Sequence, residues 1–225
     1  MNNKITKKRK KVMRRFINTT EQILQEESYD NLSVRKIAGE SNYTCATLYY
    51  YFEDLNDLMT YVSLKYLMGF ITQQKQIENN YIDSIDKFIK TWKIFINHAF
   101  KNPNQYYLLF YGDYSIKLLK IIEIYKELYP ANNRFSLNDL PIVRTPENKF
   151  ILPHLELCIA HGHIKAHKKN IIIEGIEMIF KGMLQKIIKQ KNINSREMKE
   201  QMMEYIKLFL RSYKTPIGMS FNLKK

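Results

Sequence analysis

Glycine and proline are both scarce in this chain, 7 and 6 among 225 residues. That scarcity excludes a fold of many short strands joined by tight turns and leaves long helices with few interruptions. Cysteine is scarcer still. Cys45 and Cys158 stand far apart and in no CxxC spacing, which excludes a disulfide framework and fits a reducing compartment. No stretch reaches the roughly 18–20 uncharged apolar residues that a membrane span needs. The first fifteen residues contain no acid, yet Glu21, Glu26 and Glu27 follow where a signal peptide would carry its apolar region. These absences predict a cytoplasmic protein with no membrane partner.

What the chain does have is positive charge, and it is unevenly spread. Of the formal net charge of +14, eight cations (Lys4, Lys7, Lys8, Arg9, Lys10, Lys11, Arg14 and Arg15) fall in residues 1–15. The rest of the chain holds 28 basic and 22 acidic residues, a net of +6. A basic arm of this kind suits a polyanion, nucleic acid before an anionic membrane surface, although a charge run by itself reads first as a solvated segment. The hydrophobic fraction of 45% is enough for a substantial core.

Apolar periodicity predicts a first helix from about Lys11 to Glu27. After a turn at Tyr29-Asp30-Asn31, Ser33 caps a short helix to about Glu40. Thr44 caps another over Cys45 to Phe52, and a longer helix begins near Glu53-Asp54 and runs to about Gln74. Beyond it the spacing predicts helices over about 82–101, 104–112, 114–128, 147–161, 170–191 and 195–213. The prolines of 130–146 mark the longest loop, and 214–225 reads as a frayed tail.

Two short helices meeting through a tight turn between Leu32 and Phe52 have the layout of a helix-turn-helix. Ile37 and Leu48 face each other across the junction, and Ala38 must be small because the second helix crosses it. Asn42 falls where the backbone turns left-handed, a conformation asparagine tolerates better than other non-glycine residues. Tyr43 and Tyr51 are expected to pack inward. The bland alternative, a helical corner of a globular domain, leaves the exposed tyrosines, the threonine cap and the adjacent basic arm unexplained.

Ile37-Ala38, Thr44, the run Thr47-Leu48-Tyr49-Tyr50-Tyr51-Phe52 and Leu58 resemble the TetR family of bacterial repressors, over roughly residues 12–60. Beyond that stretch only the layout of a longer helical domain is similar. The resemblance implies an all-α fold. Its N-terminal part, residues 1–66, holds the basic arm and a three-helix helix-turn-helix domain; residues 67–225 form a larger helical ligand-binding and dimerisation domain. It also implies base contacts from Cys45, Ala46, Thr47 and Tyr50, and phosphate contacts from Ser33, Tyr43, Thr44 and Tyr49, with Arg35 and Lys36 adding to them. The chain departs from the family's usual glycine at Asn42, small aliphatic at Tyr43 and lysine at Asn56. Residues 16–66 carry a net of −5, so the basic arm is expected to supply the long-range attraction and to follow the DNA backbone or minor groove.

For the C-terminal part the resemblance implies a dimer built on the last two helices, with Gly175, Ile179, Gly182, Met198, Met202 and Phe209 at the interface. The plain reading of the same stripes is intrachain core. It implies a ligand cavity among Trp92, Phe95, Tyr107, Phe110, Tyr111 and Tyr114, aromatic residues that would otherwise read as core. His154, Cys158 and His161, at i, i+4 and i+7, have a spacing that could bind zinc, but they read first as a partly buried helix end, and no metal or cofactor is expected. The implied partners are double-stranded DNA, a small molecule of unknown identity and a second copy of the chain. The expected function is a repressor released from a palindromic operator by ligand, and not an enzyme. The other reading is a structural or interaction DNA-binding protein without an inducer. A metal-dependent hydrolase ranks last, for want of a carboxylate ligand set or nucleophile motif.

Overall fold

The computed structural model describes residues 6–27, 31–77, 83–130, 139–145, 149–190 and 193–219. Lys4, the predicted turn at Tyr29-Asp30, Pro146 and residues 220–225 lie outside them. In chain order the helices are α1 (Lys7–Glu26), α2 (Val34–Glu40), α3 (Cys45–Tyr51), α4 (Leu55–Ile77), α5 (Ser84–Lys101), α6 (Pro103–Tyr111), α7 (Leu118–Leu128), α8 (Pro153–Ala160), α9 (Lys169–Lys189), α10 (Ser195–Ser212) and α11 (Pro216–Met219). The fold is all-α apart from one small hairpin. No helix among the described residues is long and apolar enough to cross a membrane.

Helix α1 starts four residues before the predicted Lys11, inside the basic run. It starts at Lys7, capped by Thr6, whose hydroxyl accepts from the Arg9 N–H at 3.2 Å. Cations in a first turn oppose the helix dipole, so local preference does not explain this start. Burial of Val12, Met13, Phe16 and Ile17 on one face does, together with two tertiary contacts. Lys10 pairs with Glu127 of α7 at 3.1 Å, and the Arg9 guanidinium lies over the Tyr51 ring at 5.3 Å.

Helix α4 connects the two halves. Its Leu58, Val62, Leu67 and Phe70 are fully buried, and it packs against α1 on one side and α5, α6 and α7 on the other. The division between residues 1–66 and 67–225 lies within this helix, which the sequence already predicts to run to about Gln74.

Three further expectations change. The predicted helix over 147–161 is instead a hairpin followed by a shorter helix. Strand β1 (Val143–Arg144) pairs antiparallel with β2 (Phe150–Ile151), and α8 begins only at Pro153. Proline at the first helical position has no N–H to lose and a φ already suited to the helix. The predicted frayed tail is pinned at its start. Thr215 N–H donates to His163 O at 3.0 Å, Lys165 N–H donates to Tyr213 O at 3.0 Å, and α11 follows. The histidine stripe does not converge: His154 and Cys158 are buried while His161 is exposed, and no group of three or more potential metal ligands forms among the described residues. Burial pushes the Cys158 thiol up to about 12, which leaves it protonated and inert.

Candidate nucleic-acid interface

The residues Ser33 to Phe52 build a reading head from local chemistry. Ser33 caps α2, its hydroxyl accepting from Lys36 N–H at 3.2 Å. Thr44 caps α3, accepting from Thr47 N–H at 3.1 Å, and its Oγ1 lies 2.9 Å from Thr47 Oγ1. Between the helices Asn42 takes φ 59, the only positive φ at a non-glycine among the described residues. Tyr43 N–H donates to Ala38 O at 2.9 Å and closes the turn. Ile37, Ala38, Leu48 and Phe52 are buried under this turn, and the Phe16 ring stands 6.2 Å from Phe52 and 5.2 Å from Tyr43.

Each cap satisfies a helix N–H that would otherwise lack a partner, and losing one typically costs about 1 kcal/mol. Thr44→Ala and Ser33→Ala are each expected to lower unfolding stability in urea by about that much. They sit on separate helices, so the double variant should lose about the sum. A Thr44→Ala midpoint that does not move would mean that the α3 cap contributes nothing.

Packing sorts the helix-turn-helix residues into two faces. Leu48 faces in, whereas Ala46, Tyr49 and Tyr50 face out at positions i, i+3 and i+4 of α3. Tyr49 is 54% and Tyr50 73% exposed. The Tyr50 ring rests edge-on against Tyr51 at 5.1 Å, which limits its swing. Cys45 and Thr47 are half-buried, and Ser33, Arg35 and Thr44 are exposed. The inward expectation for Tyr43 is met only by its ring face, because the residue remains 37% exposed. Lys36 is engaged in an ion pair with Glu27, so less of its charge remains for a phosphate than the sequence suggested.

Behind α3 the head is tied to the larger domain through side chains. Lys117, just before α7, donates to both oxygens of Glu53 at 2.8 and 3.0 Å, and Tyr114 OH donates to Glu53 Oε2 at 3.3 Å. Asp57 accepts from Glu53 N–H at 3.0 Å, and Asp54 accepts from Asp57 N–H at 2.8 Å. The Lys117 hydrogen bond holds the Glu53 carboxyl below its ordinary range, whereas burial pushes Asp57 up. Sequence reasoning missed this link. Its partners lie more than sixty positions apart, and no motif marks either end.

The other expected sites divide as well. Trp92, Phe95 and Phe110 are fully buried, with Tyr106 and Phe180 among them. Tyr107 and Tyr111 are half-buried beside α9: Tyr107 OH accepts from Gln185 at 3.0 Å, and Tyr111 OH donates to Glu177 O at 3.4 Å. Tyr114 stands apart, at the Glu53 link. Of the expected dimer residues, Met198 and Met202 are buried in the protomer's own core, because that stripe of α10 turns toward α5. Gly175 meets Phe209 of the same chain so closely that an added Cβ would overlap the ring, so the close approach it permits is α9 to α10 within one protomer. Around Gly182 there is open space, and Ile179 is half-buried. Among the described residues, the large apolar side chains that remain uncovered on these helices are Ile171, Met178, at 69% exposure, Ile188, and Leu208, at 57%.

Residues 16–62 match the model of the family described as bacterial regulatory proteins, tetR family. An HTH-type transcriptional regulator of Staphylococcus aureus is 42% identical over 59 residues, 26% of this chain and 32% of that protein. The chain thus spans about a third of the length of this curated relative. Among solved structures, Thermus thermophilus FadR, a TetR-family repressor in complex with lauroyl-CoA, is similar with a TM-score of 0.56 at 10% identity, covering 94% of this chain and 97% of that one. RolR in complex with resorcinol is similar with a TM-score of 0.56 at 14% identity, covering 95% and 92%. At these identities the likeness is one of fold.

Proposed function

With residues 16–62 matching the model of the tetR family of bacterial regulatory proteins, we propose that the protein is a transcriptional repressor that binds DNA as a dimer and leaves its operator when a small molecule binds. The observation that carries this reading is α3. A capped two-turn helix, held over a buried Leu48, presents Ala46, Tyr49 and Tyr50 to solvent. Small side chains and tyrosine rings on such a helix can lie against thymine methyls and base edges in the major groove, while capping hydroxyls and helix N–H groups take phosphates.

A dimer would set two such helices about 34 Å apart, one turn of DNA, and so would favour a palindromic operator. Met178 and Leu208, uncovered on α9 and α10, suit that interface better than the buried Met198 and Met202. A ligand in the larger domain would act through α4 and through the Lys117–Glu53 link, and a coupling of about 1–3 kcal/mol suffices to shift occupancy several-fold or more. Two features favour a ligand. FadR and RolR hold organic molecules on the same fold. Trp92 Nε1 and Tyr106 OH are buried without a hydrogen-bond partner among the described residues, a state that costs about 1–3 kcal/mol per group and that a bound acceptor would relieve. The second reading, a DNA-binding structural protein without an inducer, is favoured by the close packing of the same aromatic core.

The test is a mobility-shift assay on the DNA upstream of the protein's own gene, against scrambled competitor of equal length. Preferential binding by a dimer, reversed by one member of a small-molecule panel, is the expected result. Binding without sequence preference would overturn the repressor. Preference that no ligand alters would move the inducer-free reading to first place.

A further inference from the structure

We infer that a basic cleft beside the reading head grips the DNA backbone and contributes phosphate contacts that the helix-turn-helix motif does not contain. This rests on the DNA-binding reading above. Lys11, Arg14 and Arg15 stand at i, i+3 and i+4 on the exposed face of α1. They line one concave surface with Ser41, Asn42 and Tyr43 of the turn.

The cations around this cleft differ in how they are compensated. Lys10, Lys36 and Lys65 each pair with a carboxylate, from Glu127, Glu27 and Glu21 respectively. Lys11, Arg14 and Arg15 have no carboxylate partner among the described residues. Arg14 Nε donates to Lys10 O at 3.3 Å, and Arg15 Nη2 donates to Glu40 O at 3.5 Å. Backbone carbonyls orient these guanidinium groups without neutralising them. Like charges three and four positions apart on a helix repel one another, and an anion bound among them relieves that repulsion.

Ser41 supplies an independent sign. It is 2% exposed, it lines this cleft, and its Oγ has no hydrogen-bond partner among the described residues. This unsatisfied hydroxyl shares the lining with two arginines, whose guanidinium groups match phosphate with two parallel N–H groups. The lining ends at Tyr43, the residue before Thr44, which caps α3. A polyanion engaged by α3 would therefore continue along it, which favours DNA over an isolated anion. The contact is made from a folded helix face and does not require a flexible arm.

Each phosphate contact contributes a slope of about −0.9 to log affinity against log salt concentration on duplex DNA. The experiment compares the full-length wild type with Arg14→Ala/Arg15→Ala between 50 and 200 mM salt, on the upstream duplex and on a scrambled one. Both sites are exposed and alanine favours helix, so the fold should hold, and the thermal melt checks this. The expected result is a slope shallower by about 2 on both duplexes and weaker binding at low salt. The ratio of affinities between the two should be unchanged. An unaltered slope in a folded variant would overturn the cleft while leaving the repressor standing. Wild type that shows no preference but loses slope in the variant would do the reverse. Wild type that binds no duplex at any salt would remove both. A variant that keeps the DNA slope but loses binding to phosphatidylserine-containing vesicles would overturn the inference in favour of a membrane surface.

Discussion

Phe95→Ala is expected to destabilise the protein by about 3–5 kcal/mol, the range for deleting a fully buried aromatic ring. The ring sits at the centre of the larger domain. Its centroid lies 5.3 Å from Phe70 and Tyr106, 5.4 Å from Phe180 and 5.6 Å from Trp92 and Phe110. These rings come from α4, α5, α6 and α9, so one deletion loosens four helices. The four edge-on pairs, with Phe70, Trp92, Tyr106 and Phe110, add about 0.5–1.5 kcal/mol each to the burial itself. Urea unfolding with an unchanged slope would measure the loss directly. A loss below about 1 kcal/mol would contradict close packing, because only a ring that already borders a hollow can be removed so cheaply. Tyr106→Phe, in the same core, should go the other way. It removes a buried hydroxyl without a partner and is expected to leave stability unchanged or raise it by about 1 kcal/mol. If the hydroxyl serves a ligand, the same variant will lose sensitivity to that ligand while becoming no less stable.

Tyr50→Ala should separate reading from holding. The side chain is 73% exposed, and its ring meets Tyr51 alone among the described aromatic rings. Stability should therefore stay within about 0.5 kcal/mol of wild type. If Tyr50 touches a base edge, preference for the operator over scrambled DNA should fall by about 1–3 kcal/mol, roughly 5- to 150-fold. The salt slope should not change, because no phosphate contact is lost. This pattern is the inverse of the one expected at Arg14 and Arg15, where the slope changes and the preference does not. Equal loss on operator and scrambled duplex would show that Tyr50 holds the backbone and does not read bases.

The helix-turn-helix was legible because its determinants are local. Ser33 and Thr44 each cap a helix through an N–H three residues on, and Asn42 adopts the left-handed turn within its own backbone. The burial of Leu48 and exposure of Tyr49 and Tyr50 follow from helical spacing over one turn. The hairpin at 143–151 was not legible, since two-residue strands leave no periodicity to detect. The basic start of α1 was misread for a related reason. Its charge pattern argues against a helix, and the groups that overrule it, Glu127 and Tyr51, belong to distant parts of the chain.

Which residues are apolar at helical spacing, where helices are capped, and which side chains can stand on the outer face of α3 all follow from the order of the amino acids. These properties depend on neighbours within a few positions, so they survive without knowledge of the fold. What covers each stripe is set by long-range packing. Met202 and Leu208 lie on the same helix at similar spacing, yet α5 and its neighbours bury the first within the protomer and leave the second open. Gly175 faces Phe209 while Gly182 faces open space. Arg14 and Arg15 have no carboxylate partner among the described residues, while Lys10 finds Glu127. In each case the deciding contact joins residues far apart in the chain, and burial and charge pairing follow from that proximity in space.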